Sequence, residues 1–222
     1  MALNIGFLVF PNVQQLDLTG PYEVFASAAD MRVHLLWKGL APVRSATGLM
    51  VSPTTTLEDC PQLDVICVPG GAGVNALLTD PQVLDFVRSQ AAGAQFITSV
   101  CTGSLVLGMA GLLDGRRATS HWNAVDLLPR LGAIPTAGRV VRDGNVITAG
   151  GVTSGIDFGL TVLAELQGEA AARRVQLALE YAPAPPFDSG TPEACDAELV
   201  ASVRQGMSRA RAEREALLPQ KG

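Results

Sequence analysis

The chain has 222 residues, of which 48% are hydrophobic and 17% are charged, and its formal net charge is −5. This length suits one domain with a large apolar core, and the composition excludes a disordered chain. The acidic balance argues against nucleic acid and anionic membrane surfaces as partners, because both require basic patches.

The first part of the sequence alternates apolar strands with a helix. Asn4–Phe10 is a continuous apolar run, typical of a strand that is buried on both faces of a parallel sheet. A helix is predicted to open near Thr19, with Pro21 in its first turn. Met31–Trp37 is predicted to be the second strand, and a hairpin is expected around Thr47-Gly48.

The same alternation continues to the end of the apolar region. Leu63–Gly71 is predicted to be a third buried strand that ends in a glycine turn, and a helix is expected from Pro81 onward. Gln95–Val100 is the next strand, and Asp143-Gly144 marks a hairpin. Two amphipathic helices are predicted to follow it. This order predicts an α/β fold with a doubly wound, mainly parallel sheet and helices on both faces.

The C-terminal part departs from this pattern. Residues 1–187 are expected to form a single α/β catalytic domain, and residues 188–222 a C-terminal extension that is helical in part. Asp196–Leu218 is the charged helix candidate within this extension.

Targeting, membrane and metal signals are weak. The start of the chain has no basic region and runs directly into a strand, so we expect no signal peptide. The 25 uncharged residues Ser89–Leu113 include polar side chains and glycines, which favour a buried strand and helix over a membrane span. The four cysteines lack zinc-type spacing, so we expect no metal site and reduced thiols in the cytoplasm.

Cys101 is the strongest candidate for a reactive residue. It follows a buried strand, at the edge where ligands bind in open α/β sheets. The following glycine allows a sharp strand-to-helix turn like the nucleophile elbow of serine hydrolases. Amides at the start of the helix are expected to lower the pKa of the thiol and favour the reactive thiolate. The alternative is a buried structural thiol, which is how we interpret Cys67 in the middle of its strand.

A nucleophile needs a group that transfers protons, and two residues are candidates. Asp17 lies in an apolar segment after the first strand, and its alternative role is a helix N-cap near Thr19. His121 follows another strand and either faces the site or packs as an ordinary buried histidine. Glycines at 150, 151 and 155 either let the following helix shift or allow close packing, and we favour packing.

Five segments together resemble a known family. They are FPNVQQLDLTGPYEVFA, DVICVPGG, TSVCTGSLVLGMAGLLDGRRATSHW, VRDGNVITAGGVTSGIDFGL and LEYAPAPPF. The set is similar to the PfpI-type proteins of the class I glutamine amidotransferase-like superfamily, and within it to the isocyanide hydratases. The likeness extends from about Asn4 to Phe187, which is most of the chain.

The resemblance implies a flavodoxin-like homodimer that acts on a small-molecule isocyanide without a metal or organic cofactor. Carried over by position, Cys101 is the nucleophile, Asp17 is the general acid/base, and Thr102 helps to hold the site. Gly71 is similar to a glycine whose backbone N–H faces the site and is expected to bind substrate. Thr102 stands where the peptidase-like relatives carry histidine, which leaves Asp17 to handle protons.

The implied reaction is hydration of R–N≡C to an N-substituted formamide through a thioimidate on Cys101. Three other classes stay open, namely a cysteine enzyme acting on α-oxoaldehydes, a sensor or binding domain, and a redox-sensing protein. Asp17 and Thr102 argue against the first, because such enzymes usually pair the cysteine with glutamate and often histidine. The segment after Tyr181 is too short for a helix-turn-helix module.

Overall fold

The structure is a computed structural model that describes residues 2–220. The strands are β1 (Leu3–Leu8), β2 (Met31–Trp37), β3 (Val43–Arg44), β4 (Met50–Val51), β5 (Thr55–Thr56), β6 (Val65–Val68), β7 (Phe96–Val100), β8 (Arg117–Ala118), β9 (Ile134–Pro135), β10 (Val140–Asp143) and β11 (Val146–Ala149). The α-helices are α1 (Gln15–Ala26), α2 (Val74–Leu77), α3 (Pro81–Ala91), α4 (Gly103–Met109), α5 (Ser154–Gln167), α6 (Glu169–Ala178) and α7 (Ala197–Leu217). Short 3₁₀ helices cover Val125–Leu131 and Pro192–Ala194.

One seven-stranded sheet organises the fold, in the order β10-β11-β7-β6-β1-β2-β5. Every neighbouring pair in it is parallel except the hairpin β10–β11. Side chains of β6 alternate between two cores, since Ile66 packs with α2, α3 and α4 while Cys67 packs with α1, α5 and α6. The predicted fold class, a mainly parallel sheet with helices on both faces, is therefore confirmed.

Helix α1 begins earlier than the sequence indicated. The prediction placed its start near Thr19 with Pro21 in the first turn, but the helix runs from Gln15 and holds Pro21 in its interior. Pro21 removes one backbone hydrogen bond, and packing against α5 offsets this loss: a Cβ placed on Gly155 would lie 2.9 Å from the Pro21 ring. Asp17 is therefore a first-turn helical residue, and its alternative role as an N-cap near Thr19 is wrong.

Other elements agree with the sequence-based expectations. Strand β2 matches Met31–Trp37 at both ends, and the hairpins at Thr47-Gly48 and Asp143-Gly144 form as antiparallel pairs. The 3₁₀ helix Val125–Leu131 continues through Pro129, although proline usually interrupts a helix.

Helix α7 packs against α2. The Asp196 carboxylate caps it by accepting the Leu199 N–H at 2.8 Å. Asn75 of α2 donates to the Ala210 carbonyl at 3.1 Å. The division into residues 1–187 and an extension of 188–222 stays a prediction, to which the structure adds this close contact. Across residues 2–220, every helix is too short or too polar to cross a lipid bilayer.

Candidate active site

Cys101 occupies the sharp turn between β7 and α4 that the sequence predicted. Its φ of +58° is in the left-handed region, which a residue with a side chain rarely adopts. The turn is fixed by hydrogen bonds from the Cys101 N–H to the carbonyls of Ala149 (3.0 Å) and Gly150 (2.9 Å). The Cys101 carbonyl in turn accepts from the hydroxyls of Ser104 (3.3 Å) and Ser120 (3.0 Å). Neighbouring elements therefore hold the thiol in a strained, fixed position.

Asp17 is fully buried at the start of α1, next to Cys101. Its Oδ2 accepts the Gly70 N–H at 2.9 Å. Its Oδ1 has no well-aligned hydrogen-bond partner among residues 2–220, although the Cys101 thiol lies within hydrogen-bonding reach of the carboxyl group. The carboxyl therefore retains one free acceptor, or one proton to donate, beside the sulfur.

The two groups strongly perturb each other. Burial raises the pKa of Asp17 from its usual 3.8 to about 7, and hydrogen bonds from Gly70 and the Cys101 thiol limit this rise. Burial also raises the pKa of the Cys101 thiol well above its usual 9.0, and the Asp17 carboxylate raises it further. The two groups therefore do not ionise together: above about pH 7 the pair holds a single proton, which lies on the thiol because its pKa is the higher of the two.

The expectation of a lowered thiol pKa is therefore wrong. Cys101 is only 5% exposed, and α4 has only seven residues. The Thr102 amide and hydroxyl do lower the pKa of the thiol, but burial and Asp17 outweigh them.

Thr102 and Gly71, both predicted as site residues, are joined by a hydrogen bond. The Gly71 N–H donates to Thr102 Oγ1 at 3.1 Å. Substrate binding by Gly71 stays a prediction. It requires the Gly71 N–H to break its hydrogen bond to Thr102 or to donate to Thr102 and the substrate at once.

Gly70 is a site residue that the sequence reasoning missed. A Cβ placed there would lie 2.6 Å from the Thr102 nitrogen, 2.7 Å from its hydroxyl and 2.8 Å from Asp17 Oδ2. Only glycine allows these groups to converge. The double glycine after β6 was the available signal, but it was interpreted as one turn.

His121 faces the site and is also a partly buried, hydrogen-bonded histidine, so both features left open for it are present. It lines the same cavity as Cys101. Its Nδ1 accepts the Asn123 N–H at 3.2 Å, so the neutral ring carries its proton on Nε2. Burial and the nearby Arg214 both lower the pKa of the imidazole, so the neutral form prevails.

A cavity of about 260 Å³ opens at the Cys101 thiol. Cys101, Thr102 and Gly71 lie in its wall, whereas Asp17 reaches the site through its contacts with Gly70 and the thiol. Helix α7 contributes four further wall residues, Gly206, Met207, Ala210 and Arg214, and no motif in the sequence assigned them to the site. Within residues 2–220, no three histidine, cysteine or acidic side chains lie together in a way that could hold a metal ion.

The fold and the cysteine elbow define a class of protein, and comparison with known sequences identifies it. The sequence model of the DJ-1/PfpI family matches residues 4–165, so the chain belongs to the DJ-1/PfpI family. Among individual relatives, the isonitrile (isocyanide) hydratase of Pseudomonas putida is 66% identical over 205 residues, covering 92% of this chain and 90% of the relative.

Solved structures agree with this assignment. A ThiJ/PfpI family protein from Pseudomonas syringae superposes with a TM-score of 0.94 at 42% identity, covering 98% of this chain and 90% of that one. Drosophila melanogaster DJ-1beta gives a TM-score of 0.74 at 26% identity, covering 82% of this chain and all of that one. The first comparison includes the segment that carries α7.

Proposed function

We propose that this protein is an isocyanide hydratase, a hydro-lyase that converts R–N≡C and water to R–NH–CHO. The observation that carries the proposal is the pairing of Cys101, at the cavity wall, with an Asp17 carboxyl whose pKa is about 7. Such a pair supplies a nucleophile and a proton at the same point. The 66% identity to the Pseudomonas putida isonitrile hydratase supports the same reaction.

In the first step, the Cys101 sulfur bonds to the terminal isocyanide carbon. That carbon must also gain a proton, and the proton shared between the thiol and Asp17 provides it. The product is a thioimidate, R–N=CH–S–Cys101, in which the elements of S–H have added to carbon. Asp17 suits this transfer because its pKa lies near the working pH, where it both donates and accepts protons.

In the second step, the ionised Asp17 takes a proton from water as the water oxygen bonds to the thioimidate carbon. Asp17 passes this proton to the nitrogen, and the tetrahedral adduct then expels the Cys101 sulfur while its hydroxyl loses a proton, which releases the formamide. The Thr102 amide and hydroxyl stabilise the leaving thiolate, since both lower the pKa of the thiol. The proton from that hydroxyl returns to the thiol–Asp17 pair and replaces the one that the pair gave to carbon, so no atoms are left over.

A direct assay tests this proposal. The purified protein is incubated with an aryl isocyanide and formamide absorbance is followed, with methylglyoxal and a peptide as parallel substrates. We expect formamide to form and Cys101→Ala to abolish it. Cys60→Ala is the matched control, because Cys60 is a partly buried thiol outside the cavity wall. Turnover of methylglyoxal alone, or formamide formation that survives Cys101→Ala, would reject the hydratase proposal.

The proposal includes a homodimer, as the family resemblance implies. Large apolar side chains on the isolated chain support it: Leu177 of α6 is 83% exposed and Phe187 is 77% exposed. Light scattering at micromolar concentration should give twice the chain mass of 23.1 kDa. A monomer at that concentration would refute the dimer.

A further inference from the structure

Helix α7 forms one wall of the Cys101 cavity. Its contributing residues include Gly206, Ala210 and Arg214, which are four positions apart and therefore share one helix face. A Cβ placed on Gly206 would meet no atom within 4 Å, so the wall leaves open space at that point. The shape and charge of this face therefore affect what the cavity can bind.

Arg214 is the charged residue of this face, and it is held rigidly. Its side chain is buried, with 6% of the residue exposed. The guanidinium Nε donates to Asn75 Oδ1 at 3.0 Å, while the Asn75 amide donates to the Ala210 carbonyl at 3.1 Å. Nη1 and Nη2 donate to no acceptor in the described part of the chain. Both nitrogens, in a fixed orientation, are thus available to a bound molecule.

No carboxylate of residues 2–220 forms an ion pair with Arg214, which is unusual for a buried cation. Arg211, one turn earlier on the same helix, shows the ordinary arrangement, with ion pairs to Asp126 at 2.7 Å and Glu215 at 2.5 Å. A buried guanidinium without a protein anion is the arrangement expected where a ligand supplies the negative charge.

The groups around Arg214 do not supply that charge in the resting site. The Cys101 thiol is protonated, because burial raises its pKa, and the imidazole of His121 is neutral. Asp17, with a pKa of about 7, is partly ionised near neutral pH, but it does not line the cavity and is not among the charges that shift the pKa of Arg214. A thiolate on Cys101 would raise the pKa of Arg214, so the guanidinium lies within electrostatic reach of the reacting sulfur.

We propose that Arg214 forms an anion-binding subsite of the cavity and that the preferred substrates are small isocyanides bearing a carboxylate. This inference rests on the proposed hydratase function. The two free nitrogens of the guanidinium match the two oxygens of a carboxylate. The cavity volume of about 260 Å³ equals roughly eight or nine water volumes, which is enough for a short carboxylate-bearing isocyanide.

Matched substrate pairs test the subsite. Isocyanoacetate and isocyanoacetamide have the same shape and differ in charge, and 3-isocyanopropanoate with its amide extends the pair by one methylene. A charge-assisted bidentate contact should give the wild-type protein a carboxylate preference in kcat/KM of about 10- to 100-fold in at least one pair. Arg214→Met should lower kcat/KM for the carboxylates about 10- to 100-fold relative to kcat/KM for the amides, so that the preference disappears.

Two further variants complete the comparison. Arg214→Lys keeps the positive charge but loses the two-nitrogen contact of the guanidinium, and should retain part of the preference for carboxylates. Arg209→Met is the control on the same helix, since the Arg209 side chain is 92% exposed, and it should leave all four rates unchanged. An equal loss for carboxylates and amides in Arg214→Met would overturn the inference, because Arg214 would then serve the sulfur or the fold.

Product binding supplies a measurement that does not depend on turnover. Calorimetry on the Cys101→Ala protein should show N-formylglycine binding about tenfold more tightly than N-formylglycinamide, and Arg214→Met should abolish the difference. Equal binding of the two products would overturn the subsite. Hydration of an aryl isocyanide and of the amides without a carboxylate preference would overturn the subsite alone, whereas hydration of no isocyanide would overturn the proposed function.

Discussion

Replacing Asp17 by asparagine should stabilise the protein at alkaline pH and have little effect in acid. Asp17 is fully buried, and burial raises its pKa from 3.8 to about 7. Between these two values the unfolded chain has released its proton while the folded chain retains it, so the free energy of unfolding falls as pH rises. At pH 8 this linkage costs the wild-type protein about 4 kcal/mol, at about 1.36 kcal/mol per pKa unit.

The Asp17→Asn protein lacks this linkage, and its side-chain oxygen can still accept the Gly70 N–H. Guanidinium unfolding should show a gain of less than about 1 kcal/mol at pH 4 and of about 4 kcal/mol at pH 8. The gain at pH 8 corresponds to a Tm increase of about 8–16 °C in a protein of this size. Activity should be lost at every pH, because asparagine cannot transfer a proton.

Asp85→Asn is the control, since it removes a carboxylate that is 74% exposed. It should leave the pH dependence of stability unchanged. If the gain from Asp17→Asn differed by less than about 1 kcal/mol between pH 4 and pH 8, the pKa of Asp17 in the folded protein would lie near its usual 3.8. Its proposed role as a proton donor near neutral pH would then be refuted.

Substitutions at three other positions probe the site, two of them with a rescue or control variant. Thr102→Val should lower kcat about tenfold and move the pH–rate profile to higher pH, because it removes a hydroxyl that lowers the pKa of the thiol. Thr102→Ser keeps a hydroxyl and should restore both the rate and the profile. Gly70→Ala should lower kcat about 100-fold, since a Cβ there would displace Asp17 and Thr102. Gly190→Ala is the control, because a Cβ at that position meets no atom, and it should leave kcat unchanged. Gly206→Leu fills open space in the cavity wall, so it should lower kcat/KM for aryl isocyanides about tenfold and leave kcat/KM for methyl isocyanide unaffected. Unchanged kcat/KM for both substrates would show that this wall does not limit substrate size.

The fold was largely predictable because its central strands are continuous apolar runs. Such runs are typical of parallel sheets covered on both faces, and β2 was predicted to the residue. The start of α1 was not predictable in this way, because proline most often marks a first turn. In this fold the packing of α1 on α5 overrides that preference, and Asp17 is therefore helical and buried rather than a cap.

The site was predictable where a residue follows a strand and not where a helix covers it from outside. Cys101 was predictable from strand order, while Asp17 and Thr102 also needed the family resemblance. Arg214 carried no comparable signal, since α7 contains four arginines, of which Arg204 and Arg209 are exposed and Arg211 is half-buried. Which of them faces the cavity depends on how α7 docks through Asn75, a contact 139 residues away in sequence.

The raised pKa of Cys101 fits the proposed reaction better than the lowered pKa first expected. The isocyanide carbon must receive both a sulfur and a proton, so a permanent thiolate would still need a separate acid. Here burial keeps the proton beside the sulfur, and Asp17 with a pKa of about 7 can move it in either direction. A substrate carboxylate bound to Arg214 would neutralise the buried guanidinium of the cavity wall. The proton held between Cys101 and Asp17 is then the one that the reaction transfers.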